Sequence, residues 1–363
     1  FHQTTVRHGD ARVDLVTGDW PESILEPLKT IVRSVHGYLE AELGPLRASR
    51  RLLIYDRLPK GFAGGVVGRG IAVLSSVPQE VDVANPGGGI LVHELTHQWL
   101  AGDDYWMSEG FTTYYQHLAQ AKLSGGGERE ALRTLTATMR EYLELRPEHT
   151  LREARDRRAY VGGASLAFCL DTELHHAGTT LAATLTAHRE TQQLGRVNAS
   201  AYLAQLNTEH SDIAHRVNQW LDEPGTIDVE GCLRRAGYAV EHVSYTGYSL
   251  RALALEILKS ASFSVQRAEL FETLPGSVFQ PGDILVEVDG QRVDRVQSLS
   301  WLLRHVEVGD ALHVIVRRGP ARVEVVFPMP AVDAAQRPEG SLLKATATQS
   351  GSRHSPLGGL GGG

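Results

Sequence analysis

Ile90-Leu91-Val92-His93-Glu94-Leu95-Thr96-His97-Gln98-Trp99-Leu100-Ala101 is the stretch on which the reading of this chain turns. Its composition is helical, and His93 to His97 matches H-E-x-x-H. Residues four apart lie on one helix face about a turn from each other, so both imidazoles reach one ion at about 2.0 to 2.1 Å. Glu94, beside the first histidine, can then address a water on that ion without ligating it. A catalytic zinc site takes three protein ligands and keeps one position open, and two His with one Glu is such a set. The third ligand is read from Trp106-Met107-Ser108-Glu109-Gly110-Phe111-Thr112-Thr113-Tyr114-Tyr115, on a second predicted helix starting near Met107. There Glu109 closes the set, and Thr112 and Thr113 are candidate partners for the ligands. Pro86-Gly87-Gly88-Gly89 reads as a break ahead of the metal helix.

Composition narrows the alternatives. With 363 residues, 42% hydrophobic and 22% charged, the chain is long and apolar enough for two or three domains with their own cores. Its 36 Lys and Arg against 43 Asp and Glu give a net charge of −7, without the basic excess that a phosphate backbone demands; nucleic acid is not an expected partner. The two cysteines, Cys169 and Cys232, are too few for a disulfide framework or a thiolate metal site, so any metal must use His and carboxylate. Cys169 reads as a small buried hydrophobe, and Cys232 carries no cue. No apolar run approaches the roughly 18 to 20 residues that span a bilayer. The expectation is a soluble chain, cytoplasmic or periplasmic, whose start at Phe1 without a methionine points to an incomplete N-terminus.

Working outward, Ala11 to Val16 alternates as a strand, and Ile24, Leu28, Ile31, Val32 and Val35 mark the helix after it. Arg51 to Tyr55 and Val66 to Val77 read as strands, the second loosened by glycines. Glu128 to Leu145, Ala164 to His175 and Ser200 to Leu221 are helical in pattern, so a helical lobe follows a small sheet: an α+β domain over residues 11–240. His175 and His176 are adjacent, point about 100° apart on a helix and read as surface residues; His117 lies too far along its helix to be a ligand. A change of character near residue 240 opens a β-rich module over residues 243–330. Residues 331–363, Gly-rich and poor in large apolar groups, are expected to be disordered.

His93 to Trp99 together with Ser108-Glu109-Gly110-Phe111-Thr112 resembles the gluzincin zinc metallopeptidases, the thermolysin-like group that includes the aminopeptidase N relatives. Tyr114-Tyr115 and Tyr160-Val161-Gly162-Gly163-Ala164, running on to Leu170-Asp171, look most like the glycyl aminopeptidase family within it. The resemblance covers roughly residues 10 to 330. It implies one Zn2+ per chain on His93, His97 and Glu109, Glu94 as general base, and Tyr160 as the donor to the tetrahedral oxyanion. Peptides or proteins are the implied substrates. Gly162 and Gly163 would admit a substrate or a neighbouring backbone, or simply make a turn. Residues 1–10 would be the remnant of a preceding β domain.

Against the resemblance, the clan's amine-binding Glu is missing. Gly64-Gly65-Val66-Val67-Gly68-Arg69-Gly70 matches the glycine-rich edge strand that carries it, and Val67 stands in its place. A buried ammonium needs a paired charge, so aminopeptidase and endopeptidase both stay open, and Arg69 either meets a substrate carboxylate or is solvated. Pro281 to Val293 looks like the P-G-D-x-L-x-x-V-(D/N)-G stretch of PDZ domains, with Val296 to His305 as the groove helix and Ala252 to Leu255 as the carboxylate loop, although without its usual glycines. That module implies a peptide ligand. A third reading is a catalytically inactive peptide-binding scaffold, against which the non-ligating Glu94 speaks.

Overall fold

The computed structural model describes residues 2–8, 11–17, 20–46, 50–57, 63–67, 71–75, 86–145, 149–192, 197–244, 284–288, 291–292, 311–328, 341–347 and 355–360. The chain divides into two compact units, residues 1–240 with 345–363, and residues 241–344. Among the described residues no helix is long and apolar enough to cross a membrane.

The first unit opens on strands β1 (His2–His8) and β2 (Ala11–Thr17), helix α1 (Glu22–Leu43), and strands β3 (Arg50–Arg57), β4 (Ala63–Val67) and β5 (Ile71–Ser75). They make a five-stranded sheet in the order β1-β2-β3-β5-β4. β2, β3 and β5 run parallel, while β1 and β4 run antiparallel to their neighbours at the two edges. A parallel β2–β3 pair requires a crossover. α1 supplies it, turning Leu28, Val32, Val35 and Leu39 into the core. The short segment ahead of Ala11 pairs along the whole of β2, from His2 opposite Thr17 to His8 opposite Ala11. Within Val66 to Val77, read as one strand, Val66 and Val67 belong to β4 and residues 71–75 to β5, which pair antiparallel with Val67 of edge strand β4 opposite Ile71.

Among the described residues eight helices follow: α2 (Pro86–Leu100), α3 (Tyr105–Leu123), α4 (Gly127–Glu144), α5 (Arg157–His176), α6 (Leu181–Thr191), α7 (Ala199–Glu209), α8 (Ser211–Asp222) and α9 (Val229–Arg235). The expected break at Pro86–Gly89 is the first turn of α2 instead. Proline is tolerated at the start of a helix because its missing N–H would have no partner there. Leu91, Val92, Leu95, Trp99 and Leu100 are buried on α2, and the Trp99 indole donates to the Gly44 carbonyl at the end of α1 over 2.8 Å. α5 is buried without interruption from Val161 to Leu174 and packs on α3, α4, α6, α8 and α9. Asp171 within it accepts from the Tyr114 hydroxyl and the Leu181 backbone N–H, both over 2.8 Å, so the buried carboxylate is satisfied.

Two expectations need correction. Cys169 and Cys232 are bonded to each other, with Cα atoms 5.2 Å apart, and tie α5 to α9. Their separation of 63 residues leaves no local trace of the pairing, which depends on how the two helices pack. The stretch beyond residue 330 is not wholly unstructured either. Strand β11 (Ser341–Ala347) pairs with β6 (Tyr238–Ser244), and a 3-10 turn at Gly358–Leu360 brings Leu357 and Leu360 into the interior against α4. The Tyr238 hydroxyl donates to Glu128 over 2.9 Å and is also hydrogen-bonded to Ser355. A few isolated leucines anchor a segment whose mean composition looks disordered.

In the second unit, β7 (Ile284–Val288), β8 (Gln291–Arg292), β9 (Ala311–Arg318) and β10 (Ala321–Pro328) form an antiparallel sheet in the order β10-β9-β7-β8. β9 and β10 are joined through Gly319, whose φ of 58° suits a tight hairpin. Residues 252–255, 281–283, 289–290 and 296–305, on which the PDZ reading rests, lie outside the described residues.

Candidate metal centre

Helix α2 turns its large apolar residues into the core and presents His93, Glu94 and His97 beside α3, one helical turn separating the imidazoles. Their ring centroids lie 4.8 Å apart at 88°. Glu109, in the second turn of α3, sends Oε2 to within 3.1 Å of His93 Nε2 and 3.2 Å of His97 Nε2. Donors about 2.0 to 2.1 Å from a shared tetrahedral centre stand about 3.3 Å from one another. Glu109 Oε2 meets that spacing to both imidazoles, the three donor atoms lie within 4.8 Å of one another, and among the described residues they are the one group of His, Cys, Asp and Glu disposed to hold a metal. The set is closed by the protein on one side and partly exposed on the other: His97 is buried, while His93 and Glu109 are partly exposed.

Burial and charge divide the two glutamates. Burial raises the Glu94 carboxyl to about 7; nearby His93 works against the rise and Glu109 adds to it. Burial also pushes Glu109 upwards, but hydrogen bonds from His93 and His97 outweigh it and hold that carboxyl well below the usual range. His97 is pushed down by burial, which favours the neutral, ligating imidazole. One carboxylate is therefore held ionised against the imidazoles, and the other is poised to exchange a proton near neutral pH.

Tyr160 enters from a third helix. Asp156 caps α5 by accepting from the Arg158 N–H over 3.0 Å, and Tyr160 sits in the turn that follows. Its ring stacks on His93 with centroids 5.8 Å apart and planes inclined by 22°. Its hydroxyl is pushed upwards by burial, by the Glu109 charge and by a hydrogen bond with Glu109, so it stays a donor. α5 comes this close because two glycines face each other: a Cβ on Gly110 would stand 2.3 Å from the Gly163 Cα, and one on Gly163 would stand 2.2 Å from the Trp106 carbonyl oxygen. Of the uses open to Gly163, close approach of a neighbouring backbone is the one the structure makes. Gly162 instead faces Leu151 and Tyr142.

The remaining candidates separate cleanly. Thr112 Oγ1 lies 3.2 Å from His97 Nδ1. Thr113 donates to the Glu109 backbone carbonyl over 2.8 Å and does not reach a ligand side chain. His117 is buried towards α4, 3.0 Å from Thr138. His175 bonds Asp171, and His176 the Arg235 carbonyl. Arg69 lies outside the described residues, whereas Val67 stays on the edge strand β4, beside which α2 packs. Gln116 was not among the expected residues, yet its Oε1 is 3.0 Å from His93 Nδ1. The signal for it was present: residues 109, 112 and 116 follow the i, i+3, i+7 spacing of one helix face.

No family model matches the chain, and no curated protein sequence matches it. Its fold is similar to that of an aminopeptidase N family protein from Idiomarina loihiensis, with a TM-score of 0.57 and 14% identity over 98% of this chain and 70% of that one. It also aligns with a two-domain M1 zinc metallopeptidase mutant bound to L-arginine (TM-score 0.46, 19% identity, 62% of this chain and 52% of that one). An M1 zinc metallopeptidase mutant from Deinococcus radiodurans bound to a Tyr-Ser-Ala substrate aligns with a TM-score of 0.44 and 21% identity, over 61% of this chain and 51% of that one. The chain thus spans about half the length of the latter two.

Proposed function

We propose that the chain is a zinc-dependent metallopeptidase, aminopeptidase-like in fold, that hydrolyses peptide bonds with His93, His97 and Glu109 as the metal ligands. The observation that carries this reading is the convergence of those three donor atoms within 4.8 Å, with Glu94 next to His93 on α2 and the Tyr160 ring stacked on His93. When bound, zinc supplies Lewis-acid polarisation of the scissile carbonyl and makes a water acidic enough to lose a proton near pH 7. Glu94 takes that proton and hands it to the departing amine, a task its environment suits by bringing its carboxyl to about 7. Tyr160 stays protonated and donates its hydroxyl to the oxygen on which negative charge gathers. As the last strand in the sheet order, β4 offers main-chain groups to an extended peptide, which needs no particular side chain there.

Val67 on that strand favours a second reading, an endopeptidase of the same fold, because an apolar side chain gives a free amine no counter-charge. Residues 243–330 are proposed as a PDZ-like module taking a peptide ligand; the support is the Pro281 to Val293 motif and the antiparallel sheet around β7. The test of the main reading is Glu94→Gln in full-length protein loaded with zinc. It should bind one zinc per chain and lose peptide hydrolysis, and a zinc-loaded variant that still cleaves a quenched peptide library sinks the assignment. Running wild type on matched free and N-terminally blocked peptides then separates the two peptidase readings.

A further inference from the structure

Helix α3 does more than contribute Glu109. Gln116, two turns further along the same face, has Nε2 donating to Gln120 Oε1 over 3.1 Å. In that arrangement the atom 3.0 Å from His93 Nδ1 is an acceptor, Gln116 Oε1. An amide oxygen only accepts, so this contact is a hydrogen bond when His93 Nδ1 carries a proton. If that is the ring's one proton, Nε2 has its lone pair towards Glu109 Oε2, 3.1 Å away. Two acceptors so placed repel unless a cation or a second proton stands between them. Thr112, one turn from Glu109, makes the corresponding contact with His97 Nδ1 at 3.2 Å. Gly89 leaves the room: a Cβ there would already stand 3.3 Å from Gln116 Nε2 and 3.2 Å from Gln120 Nε2, so the two amides lie across α2 where it has no side chain.

We infer that Gln116 is a positioning residue for the metal centre: its amide oxygen holds the His93 proton on Nδ1 and so keeps Nε2 available as the ligand for a divalent cation. The inference rests on the metal-binding reading above but concerns a residue that neither ligates nor touches substrate. Partners of this kind set ring orientation and ligand basicity, and losing one typically lowers metal affinity about 10- to 100-fold. A neutral amide is a weaker acceptor than a carboxylate, so this site has room to bind more tightly than it does.

The experiment uses full-length wild type, Gln116→Leu and Gln116→Glu, each stripped of metal. Zinc affinity is read by competition with a chromophoric chelator, and the His93 Nδ1–H of the zinc-loaded proteins by its 1H–15N correlation. Gln116→Leu should bind zinc about 10- to 100-fold more weakly and lose that correlation to solvent exchange. Gln116→Glu, which keeps the shape, should retain the correlation and bind zinc at least as tightly as wild type. Zinc affinity of Gln116→Leu within twofold of wild type, or an undiminished Nδ1–H correlation in it, overturns the inference, as does weaker binding by a folded Gln116→Glu. If wild type takes up no zinc at all, the metallopeptidase reading fails and the inference with it; zinc bound equally well by wild type and Gln116→Leu fails the inference alone.

Discussion

Gly110 and Gly163 meet backbone to backbone where α3 crosses α5, so closely that a methyl group on Gly110 would stand 2.3 Å from the Gly163 Cα. No flexible side chain can yield there; the helices themselves must part. Gly110→Ala should therefore lower stability by about 1 to 3 kcal/mol in urea denaturation. Gly359→Ala, which meets nothing within 4 Å, is the matched control and should change stability by less than about 0.5 kcal/mol. Equal effects from both would mean that the crossing is looser than described.

The same crossing delivers Tyr160 to His93. Tyr160→Phe keeps the stacked ring and removes only the hydroxyl, so zinc content and KM should hold while kcat falls by about 10²- to 10³-fold, the usual cost of an oxyanion donor. A fall in zinc occupancy of similar size would instead give the tyrosine a structural part.

The bond between Cys169 and Cys232 closes a long loop of chain, its ends 63 positions apart in sequence. In the loop-entropy account a cross-link of that span is worth about 4 kcal/mol. Replacing both cysteines by alanine should lower the denaturation midpoint accordingly. Wild type unfolded and refolded under a thiol reductant should match the double variant.

His175 at the end of α5 lies 3.3 Å from Asp171, and that hydrogen-bonded carboxylate raises its pKa against the opposing effect of burial. A histidine whose folded pKa exceeds the unfolded value of about 6.5 adds its full stability below that pH and loses it as pH rises through the folded value. The stability gap between wild type and His175→Ala should therefore be wider at pH 6 than at pH 8.5. Partial exposure keeps the change to about 1 kcal/mol or less. A gap that grows with pH reverses the assigned sign.

Leu357 is fully buried in a stretch of otherwise Gly-rich sequence. Leu357→Ala should cost about 2 to 5 kcal/mol, as large-to-small changes in a core do. A neutral result would return the C-terminal segment to the unstructured state that its composition implies.

What could be read in advance follows the range of each signal. The period of His93 and His97, the position of Glu109 and the Tyr160 segment are local patterns, and α2, α3 and α5 bring those residues together. α1 was readable for the same reason, since its buried residues recur every three or four positions. α6 was not, because its buried face mixes Leu181 and Leu185 with Thr184 and His188 and shows little apolar period. Ser200 to Leu221, continuous as a pattern, breaks into α7 and α8 at His210, where the backbone leaves helical values. The cysteine pair and Leu357 depend on residues far off in the chain meeting in space, and no window along the sequence holds both partners.

The sulfur bridge between α5 and α9 also bears on how the protein is to be made. Glutathione in an ordinary bacterial cytosol keeps thiols reduced, whereas a secretory or periplasmic route oxidises them. Material from the two kinds of host would be two chemical species of one sequence, differing in the helix that carries Tyr160. Any preparation that shows feeble peptide turnover should have its thiols counted before its active site is doubted.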